Sequence, residues 1–323
     1  MTSDDSARET YWTARDRETQ PLDFDPPFEV LEPATLTSPL VFSSPHSGAV
    51  YPRRFLDLAR LDANTLRRSE DVAVDELFQG AVRLGAPLLR AHFPRAFLDV
   101  NREPYELDPK MFEGKLPVFS NTRSLRVAAG LGTIARLVGE SQEIYSARLP
   151  VEEAMRRIDQ LYKPYHRALR ALLERAERTF GLAVLVDCHS MPSSIQTVGQ
   201  PLARTASNRP DAARPDFVLG DRFGTSCASD LMTTVEQALR EMGYRVQRNK
   251  PYAGGFITEH YGKPVSHFHA LQIEVSRGLY MNEKSFEKIA RFSYIADDLT
   301  KMVALLMARL ADRRGQETSQ AAE

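Results

Sequence analysis

The feature that most constrains the fold is an apolar run, LAVLV at 182–186, which leads directly into the polar sequence DCHS at 187–190. A continuous apolar run of this length is typical of a strand that is buried on both faces of a sheet. Such sheets occur in α/β proteins, because helices are needed to cover both faces. The run therefore predicts a layered fold with this strand near its centre.

Other segments alternate between strand and helix patterns along the chain. Besides the strand at 182–190, we predict strands at 40–44, 86–93, 95–101, 216–221, 244–249 and 270–277. We predict helices at 71–84, 151–180, 226–242 and 283–312, and we expect Pro164 to kink or divide the second one, because proline interrupts helical hydrogen bonding. The alternation favours a mainly parallel sheet covered on both faces, and an α+β fold is the alternative.

Composition limits the class of protein. The 323 residues, 42% of them hydrophobic, suffice for one large domain or two small ones. Since no linker divides the middle, we expect a single domain at 38–312, an N-terminal arm at 1–37 and a disordered tail at 313–323. The net charge of -1 and the lack of a long basic run argue against nucleic acid as a partner. Two cysteines, a polar N-terminus and only short apolar runs predict a cytoplasmic protein with no membrane partner.

Two histidines stand at predicted strand ends, where ligands bind in open α/β sheets. His46 follows the strand at 40–44, and His189 ends the strand at 182–190. A lone histidine there is more often a hydrogen-bonding group, but two of them together favour a transition-metal site. A catalytic zinc ion usually has three protein ligands, and Glu70 and Asp71 are the nearest carboxylates in chain order. The alternative for this acidic pair is a helix start that complements the helix dipole. Asp187 is expected to support His189 from behind.

A carboxylate and two arginines lie at the same predicted edge. Glu274 stands inside the apolar sequence LQIEV, where a charge is costly without a partner or a function. It is either a general base with a raised pKa or the ion-pair partner of Arg277. Arg102 follows the predicted strand at 95–101, and its planar guanidinium suits a substrate carboxylate. The alternative for Arg102 is a salt bridge to Glu103 or Asp99.

Weaker signals remain in the second half of the chain. Gly254 and Gly255 would allow a ligand to approach the backbone closely, or they form a plain turn. His267 and His269 would share one face of an extended segment and could form a second metal pair. His166 is expected to pack or hydrogen-bond within its helix, beside two tyrosines.

Seven segments in order resemble the N-formylglutamate amidohydrolase (N-formylglutamate deformylase) family. They are SPHSG (44–48), SEDVAVDELF (69–78), FLDVNREP (97–104), VDCHSMPS (186–193), DFVLGDRFGTSC (216–227), NKPYAGGFITEHYGKP (249–264) and HALQIEVSRGLYMNE (269–283). The resemblance covers residues 38 to 300. It implies a fold similar to that of the zinc carboxypeptidases, which is a three-layer α/β/α sandwich around a mixed, mainly parallel sheet.

The resemblance also implies a site and a reaction. A Zn²⁺ ion would be held by His46, Asp71 and His189, with Asp71 favoured over Glu70, and Glu274 would be the general base. The implied substrate-binding residues are Asn101, Arg102, Tyr252, Gly254, Gly255 and Arg277. The implied reaction is hydrolysis of N-formyl-L-glutamate to formate and glutamate, a step of histidine degradation. A zinc peptidase, a deacylase for another N-acyl amino acid and a non-catalytic binding protein are the alternatives. The partner is then a small N-acyl amino acid, and a homo-oligomer stays open.

Overall fold

A computed structural model describes residues 22–139, 142–194 and 214–320, with side chains up to residue 313. The strands of these described ranges are β1 Phe28–Leu31, β2 Leu40–Ser44, β3 Leu88–Ala91, β4 Phe112–Glu113, β5 Leu137–Val138, β6 Gln142–Glu143, β7 Leu149–Pro150, β8 Ala183–Met191, β9 Phe217–Gly220, β10 Val246–Arg248 and β11 Phe268–Ser276. The α-helices are α1 Arg53–Leu58, α2 Ala63–Leu66, α3 Val74–Phe78, α4 Gly80–Arg83, α5 Leu125–Ala128, α6 Val151–Arg157, α7 Lys163–Phe180, α8 Ser229–Glu241, α9 Phe256–Tyr261 and α10 Phe292–Gln320.

Seven of the strands form one central sheet in the order β1-β3-β2-β8-β11-β9-β10. Strands β3, β2, β8 and β11 run parallel to one another, and β9 is parallel to β10. Two antiparallel pairings complete the sheet, β1 with β3 and β11 with β9. The prediction of a mixed, mainly parallel sheet is confirmed, and β8 lies at its centre as expected from its continuous apolar run.

Successive residues of the central strands point to opposite faces of the sheet and enter two separate cores. Leu185 packs on the side of α7, in the cluster that contains Tyr165 and Leu169. Its neighbours Val184 and Val186 belong to the other cluster, to which α3, α4, α8 and α10 contribute. Both faces of the sheet are therefore covered, which gives the expected three-layer α/β/α sandwich. None of the helices in the described ranges is long and apolar enough to cross a membrane.

The strand predicted at 95–101 is wrong. This segment forms turns, in which the backbone N–H groups of Phe97 and Leu98 donate to the carbonyl of Pro94. The N–H of Asp99 donates to the carbonyl of Thr133 rather than to a neighbouring strand. Phe97 and Leu98 are buried in the core all the same. The apolar pattern predicted burial correctly, but it could not show that the backbone of this segment does not pair with a neighbouring strand.

The predicted helix at 151–180 is interrupted near Pro164, but its backbone stays helical throughout. A π-helical segment, Ile158–Tyr162, joins α6 to α7, and Pro164 lies in the first turn of α7. Proline lacks the N–H that an α-helix would use there, and its ring crowds the preceding turn. The wider π-helical turn relieves both problems just before the proline.

The described parts of the expected arm and tail are more regular than the sequence predicted. Part of the expected arm, Phe28–Leu31, is an edge strand that pairs with Leu88–Ala91, and residues 1–21 of the arm lie outside the described residues. Helix α10 continues to Gln320, through most of the expected tail. The remaining residues of the tail, 321–323, also lie outside the described part.

Candidate metal centre and active site

The predicted histidines meet at the carboxyl edge of the parallel strands. His46 lies two residues after the end of β2, and His189 lies near the end of β8, which is the neighbour of β2. Asp71 precedes α3, and its backbone N–H donates to the carbonyl of His46 at 2.9 Å. This backbone bond ties the acidic segment to the histidine, although the two lie 25 residues apart in the sequence.

Asp71 lies between the two imidazole rings. Its Oδ2 atom is 3.0 Å from Nδ1 of His189 and 3.4 Å from Nδ1 of His46. The three potential ligand atoms all lie within 4.8 Å of one another, and all three residues are buried. Within the described ranges, this is the one group of three or more histidine, cysteine or acidic side chains that is close enough to hold a metal ion.

A second carboxylate stands behind each histidine. Nε2 of His46 is 2.7 Å from Oδ1 of Asp99, and Nε2 of His189 is 2.9 Å from Oδ2 of Asp187. A carboxylate accepts hydrogen bonds, so each Nε2 carries a proton, and in the neutral ring Nδ1 is the atom with the free lone pair. Carboxylates in this position fix the ring orientation of metal-binding histidines. The expected supporting role of Asp187 agrees with this contact, whereas Asp99 was considered only as a salt-bridge partner.

The donor set fits a divalent metal ion. Nδ1 of His46 is buried and has no hydrogen-bond partner, although buried polar atoms nearly always have one. Burial alone would raise the pKa of Asp71, but the neighbouring imidazoles of His189 and His46 hold it well below its usual range. Two imidazole nitrogens and an ionised carboxylate are the donors that catalytic zinc sites use.

Glu70, the alternative third ligand, points away from the histidines. Its carboxylate accepts hydrogen bonds from Tyr51 Oη at 2.5 Å and from Arg67 Nε at 3.2 Å, and its side chain is fully buried. The structure therefore places Asp71, and not Glu70, in the candidate metal group. The two adjacent acids face different neighbours, which their adjacency in the sequence could not show.

Glu274 lies beside this group, on β11. Its Cα is paired with that of His189 across the sheet, and one carboxylate oxygen accepts a hydrogen bond of 2.8 Å from Gln272 Nε2. Burial raises the pKa of Glu274 to about 7, against the opposing charge of His189. The alternative of an ion pair with Arg277 is not what the structure shows, because Arg277 pairs with Asp71 at 3.1 Å.

Arg277 supports the metal group rather than the open cavity. Its Nη2 atom donates to Asp71 Oδ1 at 3.1 Å and to the backbone carbonyl of Glu70 at 2.5 Å. Its Nη1 atom donates to the carbonyl of Arg68, and its Nε atom donates to Ser190 Oγ. Most of its donors are therefore already used in positioning Asp71 and the segment before it.

Asn101 and Arg102 lie at the base of the cavity. The amide nitrogen of Asn101 is 3.2 Å from Asp187 Oδ2 and 3.1 Å from His189 Nε2, and its oxygen accepts from the N–H of Ile257. Arg102 donates to the carbonyls of Leu131 and Asn101, and its Nη2 atom lies 3.5 Å from Asp99. Asn101 therefore donates to Asp187, the carboxylate that holds His189. The salt bridge to Asp99, the predicted alternative for Arg102, is present at this length, and the guanidinium also lines the cavity.

The glycine pair forms the wall of the cavity next to Asn101. Gly254 has a φ angle of 116°, which favours glycine, and an added Cβ at Gly255 would lie 2.5 Å from the side-chain amide of Asn101. The two glycines thus permit close packing inside the protein, in addition to lining the cavity. Tyr252 lines the same cavity, and burial raises its pKa to about 12.

The other histidines do not form a metal pair. His267 is exposed and has a φ angle of 62°, so the segment is not extended as that prediction required. His269 is buried in β11 and accepts a hydrogen bond from the N–H of Ala228. His166 hydrogen-bonds to Tyr261 Oη and the carbonyl of Val100, as expected for a packed histidine.

The candidate metal group opens into a cationic cavity of about 420 Å³. Six arginines line it, against two acidic side chains, Asp71 and Glu274. The arginines are Arg68, Arg95, Arg102, Arg126, Arg222 and Arg277. Sequence reasoning named only two of them, because the others come from loops and a short helix that no strand pattern marks. A cavity with this charge balance suits a small anion.

An α/β sandwich with a group able to hold a metal, a buried glutamate beside it and a polar cavity at the strand ends has the parts of a hydrolase. The chain belongs to the N-formylglutamate amidohydrolase family, whose model matches residues 38–281. It is accordingly a hydrolase that acts on an amide.

Relatives and solved structures support this membership. The chain is 30% identical over 262 residues to N-formylglutamate deformylase of Pseudomonas aeruginosa, covering 80% of this chain and 86% of the relative. It is 30% identical over 248 residues to N-formylglutamate deformylase of Pseudomonas putida, covering 76% and 82% of the two chains. The crystal structure of N-formylglutamate amidohydrolase from Ralstonia eutropha JMP134 is similar with a TM-score of 0.79 and 38% identity, over 90% of this chain and 99% of that one. The Agrobacterium tumefaciens gene product Atu2144 shares the fold at a TM-score of 0.55 and 18% identity, over 88% of this chain and 94% of that one.

Proposed function

We propose that the protein hydrolyses N-formyl-L-glutamate to formate and L-glutamate in a zinc-dependent reaction. The observation that carries this proposal is the convergence of two imidazole Nδ1 atoms on Asp71 Oδ2, beside the buried carboxyl group of Glu274. The printed names of the related deformylases and of the Ralstonia amidohydrolase support the choice of substrate.

His46, Asp71 and His189 would hold the zinc ion. Zinc bound by such ligands supplies a Lewis acid, which polarises a carbonyl group and lowers the pKa of a water molecule. Asp99 and Asp187 keep both rings in the orientation that this binding requires. Arg277 holds Asp71 from the other side, through Oδ1.

Glu274 moves the proton in the proposed reaction. Its carboxylate takes a proton from the attacking water as the water oxygen bonds to the formyl carbon. It then gives that proton to the nitrogen of the amide, the C–N bond breaks, and formate and glutamate leave. A pKa of about 7 suits both steps, because the group can accept and release a proton near neutral pH.

The arginines of the cavity attract and hold the substrate. N-formyl-L-glutamate carries two carboxylates. A site with several cations and few competing acids therefore suits this substrate better than it suits a neutral amide. Arg95 is fixed through Nε by Asp99 at 3.0 Å, and its charge acts on both Asp71 and Glu274. It therefore supplies positive charge next to the place where the formyl oxygen becomes negative.

The experiment is a substrate panel on purified protein, with and without added zinc. Formate release from N-formyl-L-glutamate is expected to disappear after chelation and to return with zinc. N-acetyl-L-glutamate, N-formimidoyl-L-glutamate and N-formyl-L-methionine, measured by amine release, should react more slowly. If N-formyl-L-methionine is cleaved as fast as N-formyl-L-glutamate, the proposed substrate is wrong.

Two variants separate the metal site from general damage to the protein. His46→Ala should lose both bound zinc, measured by atomic emission, and hydrolysis. His267→Ala removes an exposed histidine and is the matched control, for which zinc content and activity should stay unchanged. Zinc retained at full occupancy in His46→Ala would contradict the proposed ligand set.

A further inference from the structure

Arg126 is the cavity arginine with the fewest partners. It lies on α5, its side chain is 33% exposed, and it lines the cavity. The nearest acid is Glu106, whose Oε2 atom is 3.8 Å from Arg126 Nη1. That is too long for a hydrogen bond, and Glu106 Oε2 has no such bond to any other described residue. The guanidinium of Arg126 thus lies near the carboxylate of Glu106, but its N–H donors remain available to another partner.

Each of the other five arginines of the cavity has at least one hydrogen bond or a shorter ion pair. Arg68 donates to Gln142 at 3.3 Å, and Arg95 donates to Asp99 at 3.0 Å. Arg277 and Arg102 donate mainly to backbone carbonyls and to Asp71 or Asp99. Arg222 forms an ion pair of 2.6 Å with Glu259. By contrast, Arg126 has no side-chain hydrogen bond to any residue in the described ranges. A planar guanidinium with free N–H donors suits a carboxylate.

The contacts of these groups relate them to the candidate metal group. Arg277 pairs with Asp71 at 3.1 Å, and Arg95 and Arg102 lie 3.0 Å and 3.5 Å from Asp99, the carboxylate behind His46. Burial lowers the pKa of Arg102 to about 10 against the attraction of Asp99, and the nearby charges of Arg95 and Arg126 lower it further. Among the described residues, Arg126 contacts neither Asp71 nor Asp99, so of these four arginines it is the one that is not tied to the reacting end.

That arrangement matches the atoms of an N-formyl dicarboxylic amino acid. The formyl carbon must reach Glu274, the α-carboxylate lies a few bonds further along the molecule, and the side-chain carboxylate lies furthest. Neighbouring cations such as Arg102 and Arg126 also repel each other in a partly buried cavity, and a bound anion relieves that repulsion. The distal carboxylate would meet the free donors of Arg126.

We propose that Arg126 binds the side-chain carboxylate of the substrate and thereby selects dicarboxylic N-acyl amino acids over their neutral analogues. This inference rests on the proposed function, since it assumes that the formyl group is cleaved next to Glu274. It assigns Arg126 a role in specificity that is separate from proton transfer and from metal binding.

The test compares N-formyl-L-glutamate with N-formyl-L-glutamine, which has the same shape but a neutral side chain. The wild-type protein should favour the glutamate substrate by about 100-fold in kcat/KM, as expected for a charge-assisted pair of hydrogen bonds. In Arg126→Ala that ratio should fall to about 1, through a higher KM for N-formyl-L-glutamate. Arg126→Lys keeps the charge without the fork and should give an intermediate ratio.

The matched control is Arg123→Ala, which removes an exposed arginine three residues earlier that does not line the cavity. Its substrate ratio should equal that of the wild-type protein. An unchanged ratio in Arg126→Ala, or an equal loss for both substrates, would overturn the inference while leaving the proposed function intact.

Binding of unreactive ligands provides a readout that needs no turnover. Glutarate should raise the melting temperature of the wild-type protein more than its monoamide does, and Arg126→Ala should abolish that difference. If the wild-type protein cleaves neither substrate, the proposed function fails, and this comparison still tests Arg126. An equal effect of glutarate and its monoamide on the wild-type protein would contradict the inference.

Discussion

Nε2 of His46 lies 2.7 Å from Oδ1 of Asp99, and this contact decides which nitrogen of the ring faces Asp71. Because Asp99 accepts the Nε2–H, the lone pair of His46 is on Nδ1, the atom that has no hydrogen-bond partner. Burial would raise the pKa of Asp99, but the charges of Arg102 and Arg95 and the hydrogen bond from His46 hold it well below its usual range. An ionised carboxylate is thereby kept behind the histidine at all ordinary pH values.

We expect Asp99→Asn to weaken zinc binding by about 10- to 100-fold, because the amide holds the imidazole less strongly in one tautomer and orientation. Affinity would be measured by competition with a chromophoric chelator. Asp57→Asn is the control, since Asp57 makes an exposed ion pair with Arg53 on α1. Equal zinc affinity in Asp99→Asn and Asp57→Asn would show that Asp99 does not orient a metal ligand.

Glu274→Gln should separate chemistry from metal binding. Loss of the general base is expected to lower kcat by about 100- to 10,000-fold. Zinc content should stay near that of the wild-type protein, because the side chain is not among the three candidate ligands. Glu241→Gln changes an exposed carboxylate at the end of α8 and should leave both quantities unchanged. Full activity in Glu274→Gln would exclude this residue as the base.

The strands that carry the site could be predicted because burial leaves a continuous apolar signature. LVFSS and LAVLVDCHS both read as strands, and they place His46 and His189 on neighbouring strands of the sheet. The choice of Asp71 over Glu70 needed the family resemblance. In the structure it follows from the turn at Arg67–Ser69, which directs one acid to Tyr51 and the next to the histidines.

The cationic side of the cavity could not be predicted. Arg95 and Arg126 lie in a turn and on the four-residue helix α5, outside any strong periodic pattern. Their common position depends on long-range packing of the region between β3 and β7, where the predicted strand at 95–101 is absent. Asp99 went unrecognised as the partner of His46 for the same reason, since only the folded chain joins two residues that lie 53 positions apart.

Gly255→Ala tests the packing of Asn101 against the cavity wall. The backbone at Gly255 (φ -87°, ψ -163°) suits any residue, so the cost comes from the contact between the new methyl group and Asn101. Asn101 cannot move freely, because its amide nitrogen donates to Asp187 and its oxygen accepts from the N–H of Ile257. We expect a loss of about 1–3 kcal/mol in the free energy of unfolding, measured with denaturant.

A double-mutant cycle identifies the source of that loss. In an Asn101→Ala background the methyl group at position 255 has room, so Gly255→Ala should cost markedly less there. The same cost in both backgrounds would mean that the substitution acts on the backbone and not through Asn101.

His166 should make the stability of the protein depend on pH. Burial lowers its pKa to about 4, against the hydrogen bond from its Nε2–H to the carbonyl of Val100, and the charges of His260 and Arg170 lower it further. The unfolded chain binds this proton near pH 6.5, so stability is lost as the pH falls from about 6.5 to about 4. Between pH 7 and pH 5 we expect His166 to cost about 2 kcal/mol of unfolding free energy.

In His166→Gln, which can still donate to Val100 and accept from Tyr261, the decline in the free energy of unfolding should be smaller by that amount. Carboxylates that titrate in the same range affect both proteins equally, so identical declines in the two proteins would show that His166 titrates normally in the folded state.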